Sequence, residues 1–251
     1  MKFTLIRSAT IVLEYAGKKF IIDPYFAAKY SLPSYTGKSL NPLVDLPCEA
    51  KQVLQGVDTA FISHLHSDHF DPAAQELLPS DLPILCQPCD LEKLKEKGFI
   101  HVIPVADQLV WDEIKMTRTV CQHGSGKVLQ EMGDASGFVL EHETEPTVYW
   151  AGDTIWCQAV EAVICQRKPS VIITHSGGAV WGNQVSIIMN AEQTVKVCMA
   201  ALSSTVIATH MEALDHTTTT RQALRNYAEA HAINEEHLLI PFDGQTFIFN
   251  R

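Results

Sequence analysis

The stretch FISHLHSDHF, residues 61–70, sets His64, His66, Asp68 and His69 in one short turn behind an apolar run. The chain holds 11 histidines in 251 residues, and three of them fall between positions 64 and 69. Imidazole and carboxylate are nitrogen and oxygen donors that Zn²⁺, Mn²⁺ and Fe²⁺ accept, and both are available in their binding forms near pH 7. If the backbone is extended here, His64 and His66 point to one side. Asp68 and His69 are then free for a neighbouring ion. His123 completes a nitrogen-rich site with His64 and His66, His210 completes a more oxygen-rich site with Asp68 and His69, and Asp153 is placed to bridge the two. Two divalent ions roughly 3.5–4 Å apart hold a hydroxide between them, lower its pKa to about 7 and polarise the bond under attack. The chemistry expected from such a pair is hydrolysis at a carbonyl or phosphoryl centre, with Asp68 as proton shuttle.

Any one of these residues alone is more often a surface group or a hydrogen-bonded core group than a ligand. Their placement strengthens the case. The apolar run AFIS leads into His64, TRTVCQ into His123, TVYWAG into Asp153 and STVIAT into His210. Strand ends fix side chains rigidly and leave room for substrate beyond them.

The elements that must position them read as follows. FTLIR, TIVLEY and KFIIDP are successive strands with a turn at Ala16-Gly17, and residues 24–50 form a long loop with Pro, Gly and Ser punctuation and three tyrosines. Strand and helix then alternate: a helix over 72–78, the strand PILCQ, and a helix over 91–97 with Asp90 as its N-cap. Strands return over 102–143. TVYWAGD is a strand, 156–166 a helix and SVIITH a strand; Asn190 and Gln193 cap a helix to about Leu202, with Val195, Cys198 and Leu202 on one face. STVIATH, a helix over 221–231, and the short strands HLLIP and QTFIF close the chain. Early strands followed by alternation imply two mixed sheets with helices outside, a four-layer αββα sandwich. The absence of repeats, linkers and low-complexity tracts gives one domain, 1–251.

Hydrophobic content of 46% supports a large core, and a net charge of −10 argues against nucleic acid or anionic membrane as partners. Lys2, Arg7, Glu14 and Lys18 interrupt the first apolar residues, so no signal-peptide core is expected there. Seven cysteines, an odd number, fit a reducing compartment. The expected location is cytoplasmic. Cys86 and Cys89 form a C-x-x-C pair without a second pair at zinc-ribbon spacing, so they stay outside the mechanism.

HLHSDH resembles the H-x-H-x-D-H signature of the metallo-β-lactamase superfamily, and His123, AGDT and His210 follow in that superfamily's order. The resemblance implies the αββα fold and two metals, zinc first with manganese or iron as alternatives. It implies that Asp23 in IIDP supports the metal loop. Length and the closing segment resemble the branch of L-ascorbate-6-phosphate lactonase, which implies hydrolysis of a small lactone or phosphate-bearing metabolite. Other branches would be expected to carry a basic RNA-gripping arm, a thioesterase's C-terminal helices, for which the residues after His210 leave little room, or a flavodoxin domain.

Second-tier candidates surround the ligands. THSGGAVWG, residues 174–182, offers backbone N–H groups for an anion or is a simple turn. His175 at its start is expected in the substrate pocket; Trp181 is expected in the core before a pocket wall. His216 is expected as a substrate contact or acid, Arg221 as a solvated helix residue, and Tyr25, Tyr30 and Tyr35 are candidates for the pocket entrance. Three rivals to the lactonase reading remain: a phosphodiesterase, a mononuclear iron dioxygenase of the same fold, and a non-catalytic metal-binding protein. The partner is a small-molecule substrate, and homo-oligomerisation is left open.

Overall fold

The computed structural model describes residues 1–250. The first sheet has seven strands in the order Thr246–Ile248, Lys2–Arg7, Thr10–Tyr15, Lys18–Ile22, Thr59–Ile62, Ile84–Cys86 and Val102–Pro104. The second also has seven: Leu238–Leu239, Thr205–Thr209, Val171–His175, Val148–Trp150, Ser136–Glu141, Ile114–Val120 and Gln108–Trp111. Each is mixed, antiparallel at one end and parallel at the other.

Two-residue periodicity decides what each face meets. Leu5, Ile11, Leu13, Phe20 and Phe61 of the first sheet pack against Met116, Phe138, Leu140, Trp150 and Ile173 of the second in one buried cluster. Phe61 meets Phe138 edge-on at 3.8 Å between ring centroids, and Phe138 stacks with Trp150 at 5.9 Å. The alternate residues Ile6, Val12, Ile21 and Ile62 face outward, where Val53, Ala74 and Leu94 from helices cover them. On the other side Val139, Tyr149, Ile172 and Val206 are covered by Val160, Ile164, Val195, Cys198 and Leu224. Helix, sheet, sheet, helix is the expected αββα sandwich. Among the described residues no helix is long and apolar enough to cross a membrane.

Local expectations fared unevenly. Asn190 caps the helix Ala191–Ala200 by accepting from the Gln193 N–H at 3.0 Å. That helix stops before Leu202, which leaves the apolar face and stands 79% exposed. Asp90 does not cap Leu91–Glu96 with its side chain; it ends a 3₁₀ turn and accepts from Gln87 Nε2 at 2.7 Å instead. The helix at 156–166 begins two residues later, as Gln158–Arg167. A helix that the sequence reading left out, Gly126–Met132, follows His123.

Candidate metal centre and substrate pocket

The strand Thr59–Ile62 ends one residue before Ser63 and His64, and a tight turn follows in which the N–H groups of His69 and Phe70 both donate to His66 O at 3.0 Å. His123 lies beyond Ile114–Val120, Asp153 beyond Val148–Trp150, and His210 directly after Thr205–Thr209. Ser8, Asp23 and His210 sit at φ of 58°, 46° and 57°, the left-handed region that non-glycine residues seldom occupy. These sharp turns at strand ends aim side chains at a common point, a use of backbone strain typical of functional sites. Gly177 lets the neighbouring loop come close: a Cβ there would stand 2.1 Å from His210 O.

Outer hydrogen bonds determine which nitrogen each ring presents inward. His69 Nδ1 faces Asp23 Oδ2 at 2.7 Å, and an acceptor-only carboxylate requires the proton on Nδ1. Ser63 gives its hydroxyl hydrogen to Asp23 Oδ2 at 2.8 Å, so His64 Nδ1–H donates to Ser63 Oγ at 2.8 Å. His123 Nδ1–H donates to Ile187 O at 2.8 Å. Each of these rings therefore turns Nε2 toward the centre. His210 follows the same arrangement, with Nδ1 3.3 Å from Ser8 Oγ and Nε2 inward. Asp23 thus braces the turn through Ser63 and His69, the role the family resemblance gave it.

The inward atoms crowd together. His64 Nε2 lies 2.9 Å from His66 Nδ1, and His69 Nε2 lies 3.1 Å from His210 Nε2. Asp153 Oδ2 is 3.8 Å from His64, 3.5 Å from His123 and 3.2 Å from His69, while its Oδ1 is 3.8 Å from His210. Asp68 Oδ2 stands 3.4 Å from His210 Nε2 and 3.7 Å from His69 Nε2. Two triads result, His64, His66 and His123 on one side and Asp68, His69 and His210 on the other, with Asp153 between them.

Converging lone pairs and carboxylates without water repel unless a cation lies among them. His123 Nε2 is buried and has no hydrogen-bond partner. Burial pushes the His123 pKa down to about 4, and burial with neighbouring His69 and His66 pushes His64 well below its ordinary value. Both rings stay neutral, the form that binds metal. Burial also disfavours charge on His69, yet Asp153, Asp23 and Asp68 raise its pKa well above the usual imidazole range. Burial opposes ionisation of Asp68 and Asp153, and the surrounding histidines outweigh it and hold both far below the usual carboxylate range. The pattern is that of a site whose resting state calls for positive charge, and its donors fit divalent metal.

Above this floor lies a cavity of about 240 Å³ lined by Tyr35, His66, Asp68, His123, Glu131, Met132, Asp153, Trp181, Ile187 and His216, with Ser67. His216 is brought into the wall, with Nδ1 buried and unpartnered. His175 is not. It is fully buried behind the floor, donating from Nδ1 to Asp153 Oδ1 at 2.5 Å and accepting from Trp150 Nε1 at 3.3 Å, so no ring nitrogen is left for substrate. Its placement makes it a positioning residue for Asp153. Trp181, assigned first to the core, is a pocket wall, since the short hairpin Val180–Trp181 and Val185–Ser186 stands off the sheets. The glycine stretch beside it is a packing device: the N–H groups of Ser176, Gly178 and Val180 all donate to backbone carbonyls.

Of the three loop tyrosines, Tyr35 lines the cavity, Tyr25 is buried under the Arg7 guanidinium at 4.7 Å, and Tyr30 is 49% exposed. Arg221 is no freely solvated residue, because Glu212, Asp243 and the Pro241 carbonyl hold its guanidinium at 2.6–2.7 Å. Sequence reading missed Glu131 and Met132 along with their helix, and missed Ser8 and Asp215 altogether. Cys86 is buried and Cys89 exposed, and neither is paired in a disulfide.

Comparison with known proteins gives concordant matches. The model of the beta-lactamase superfamily domain matches residues 18–211. The chain is 37% identical over 255 aligned positions to UPF0173 protein YddR of Bacillus subtilis, covering 99% of this chain and 100% of that one. A UPF0173 metal-dependent hydrolase of Agrobacterium fabrum is 25% identical over 161 positions, covering 61% of this chain and 63% of its own. The crystal structure of isothiocyanate hydrolase from Delia radicum gut bacteria superposes with a TM-score of 0.95 at 36% identity, covering 100% of both chains.

Proposed function

This chain belongs to the metallo-β-lactamase superfamily and, within it, to the UPF0173 family of metal-dependent hydrolases; from that premise we propose that it hydrolyses a small uncharged substrate at an electrophilic carbon, an isothiocyanate first and a lactone second. The observation that carries the reading is the pocket lining. Its charged side chains are Asp68, Asp153 and Glu131, and none of its lining residues is Lys or Arg. With Asp68 and Asp153 facing the metal positions, no cationic side chain remains to grip a phosphate group beyond them and the exposed Glu131 would repel one, whereas a neutral molecule with an apolar tail finds Trp181, Met132, Ile187 and Tyr35. The resemblance in fold and sequence to the isothiocyanate hydrolase supports ranking that substrate first.

His64, His66 and His123 would hold one divalent ion and Asp68, His69 and His210 a second, with Asp153 shared. Metal bound there supplies Lewis-acid polarisation and a water-derived nucleophile near pH 7. Asp68 is the proton carrier. For R–N=C=S, water oxygen bonds to the central carbon while Asp68 moves a proton from oxygen to nitrogen. A second oxygen-to-nitrogen transfer accompanies C–N cleavage and releases amine and carbonyl sulfide. His216 contacts the substrate from the cavity wall. Asp23, Ser63, Ser8 and His175 fix ring orientation and tautomer behind the floor, as outer partners of ligands do.

The test is hydrolysis by zinc- and manganese-loaded protein of 2-phenylethyl isothiocyanate, γ-butyrolactone and bis(4-nitrophenyl) phosphate, each with a chelated control. Turnover of the isothiocyanate or the lactone that chelation abolishes is expected. Cleavage of the phosphodiester alone would refute the uncharged-substrate reading.

A further inference from the structure

The long loop after the third strand does more than connect. Its segment 31–41 closes on itself, with Leu32 and Asn41 bridged by backbone bonds of 2.8 and 2.9 Å, and it leans on the pocket. One carboxylate fastens it. Asp215 accepts from the Ser34 hydroxyl, from the N–H groups of Tyr35 and Thr36 at 3.1 Å, from Thr36 Oγ1 at 2.6 Å and from Asn41 Nδ2 at 3.1 Å. In return the Asp215 N–H donates to Asn41 Oδ1 at 2.9 Å. The residue after this fastener is His216, and the Tyr35 ring meets the His216 ring edge-on at 4.8 Å.

The Tyr35 hydroxyl lies 2.7 Å from Ser67 Oγ and 3.5 Å from Asp68 Oδ1. When Ser67 donates to the phenol oxygen, the phenol hydrogen points across the pocket toward Asp68, at a separation too long for a strong bond. A substrate heteroatom arriving beside Asp68 is a better acceptor. Tyr35 is the only residue of the lining that offers a phenol O–H, a group that keeps its proton at neutral pH.

We infer that Tyr35 is a further catalytic residue, whose O–H donates a hydrogen bond to the heteroatom that gains negative charge as water adds, and that Asp215 is the positioning residue that holds it there. The heteroatom is the sulfur of an isothiocyanate or the carbonyl oxygen of a lactone. No proton is transferred by Tyr35. This inference rests on the uncharged-substrate reading given above for the same pocket.

The experiment compares wild type, Tyr35→Phe and the control Tyr30→Phe in turnover, in metal content and in binding of N-phenethylthiourea to chelated protein by calorimetry. The thiocarbonyl sulfur of that probe accepts the same hydrogen bond without needing metal. Tyr35→Phe is expected to lower kcat by about 100-fold with little change in KM, as loss of one transition-state donor does. It should weaken thiourea binding about three- to tenfold, the worth of one hydrogen bond, and leave metal content at the wild-type value. Undiminished thiourea binding would overturn the inference. So would loss of metal in Tyr35→Phe, which would mean that the hydroxyl serves only to hold Asp68. If wild type turns over none of the substrates yet binds thiourea in a Tyr35-dependent way, the substrate reading fails while the hydrogen bond stands.

Discussion

The floor of the pocket is braced where strands end: Asp23 holds Ser63 and His69 at 2.7–2.8 Å, and His64 leans on the Ser63 that precedes it. The wall hangs on partners some 180 positions apart, Ser34, Tyr35 and Thr36 gathered by Asp215. Strand ends and sharp turns carry the floor, and hydrogen bonds to one carboxylate carry the wall. A rigid floor suits ligands that must keep ångström geometry, and a fastened loop suits a surface that sets which substrates fit. The two should respond differently to damage. Floor lesions should destroy chemistry or metal binding, and wall lesions should alter loop order and substrate handling.

The largest effect is expected at Asp68. Asp68→Ala should lower kcat by about 10³-fold, within the range for a lost acid-base group, while circular dichroism remains native; near-normal turnover would remove Asp68 from the mechanism. Asp23→Ala comes next. It leaves the facing ligand atoms in place but frees the His69 ring and Ser63, so zinc affinity should fall about 10- to 100-fold, read by competition with a chromophoric chelator. Unaltered affinity would show that the turn orients itself without Asp23, and the floor's half of the contrast with the wall would be lost.

Asp215→Asn should act on the wall alone. Losing charge-assisted bonds should raise the opening of segment 31–41 about tenfold, measured as tryptic cleavage after Lys29 and Lys38, both exposed and on either side of Tyr35. Metal content should not change. The wild-type fastener also has a defined pH window. Burial opposes ionisation of Asp215, but hydrogen bonds from Ser34, Thr36, Asn41 and the Tyr35 N–H outweigh it and depress the pKa. A depressed carboxylate pKa stabilises the folded form above the unfolded value of about 3.9 and loses that contribution as pH falls through the folded value. Amide exchange of Tyr35 and Thr36, corrected for intrinsic rates, should therefore stay protected from pH 7 to about 4 and weaken only below that. Loss of protection between pH 6 and 5 would break the assignment to Asp215.

The same division governed how much the sequence disclosed. The ligands were legible because HLHSDH concentrates donors in six positions and because His123, Asp153 and His210 each follow a strand-like run. The αββα layering was legible because strands group early and strand and helix alternate later; which residue faces which layer was not, since Leu5 and Ile6, like Ile172 and Ile173, are apolar on both faces. Asp215 was silent: it lies in a polar run of unremarkable composition, and its partners are distant in the chain. His175 was misjudged for a related reason. Ending a strand beside the ligands resembles being a ligand, and only the contacts with Trp150 and Asp153 place it behind them. Leu202 kept helical spacing past the point where the helix ends, which spacing alone does not register.

The proposed function requires that the crowded inward atoms of His64, His66, His69, His123 and His210 with Asp68 and Asp153 hold two divalent ions. The most direct measurement is calorimetric titration of Zn²⁺ into chelated protein. Tight uptake of two equivalents per chain is expected, with Asp153→Ala weakening both. Absence of tight uptake, or uptake that survives replacement of His64, His66 and His123 together with Asp68, would contradict it.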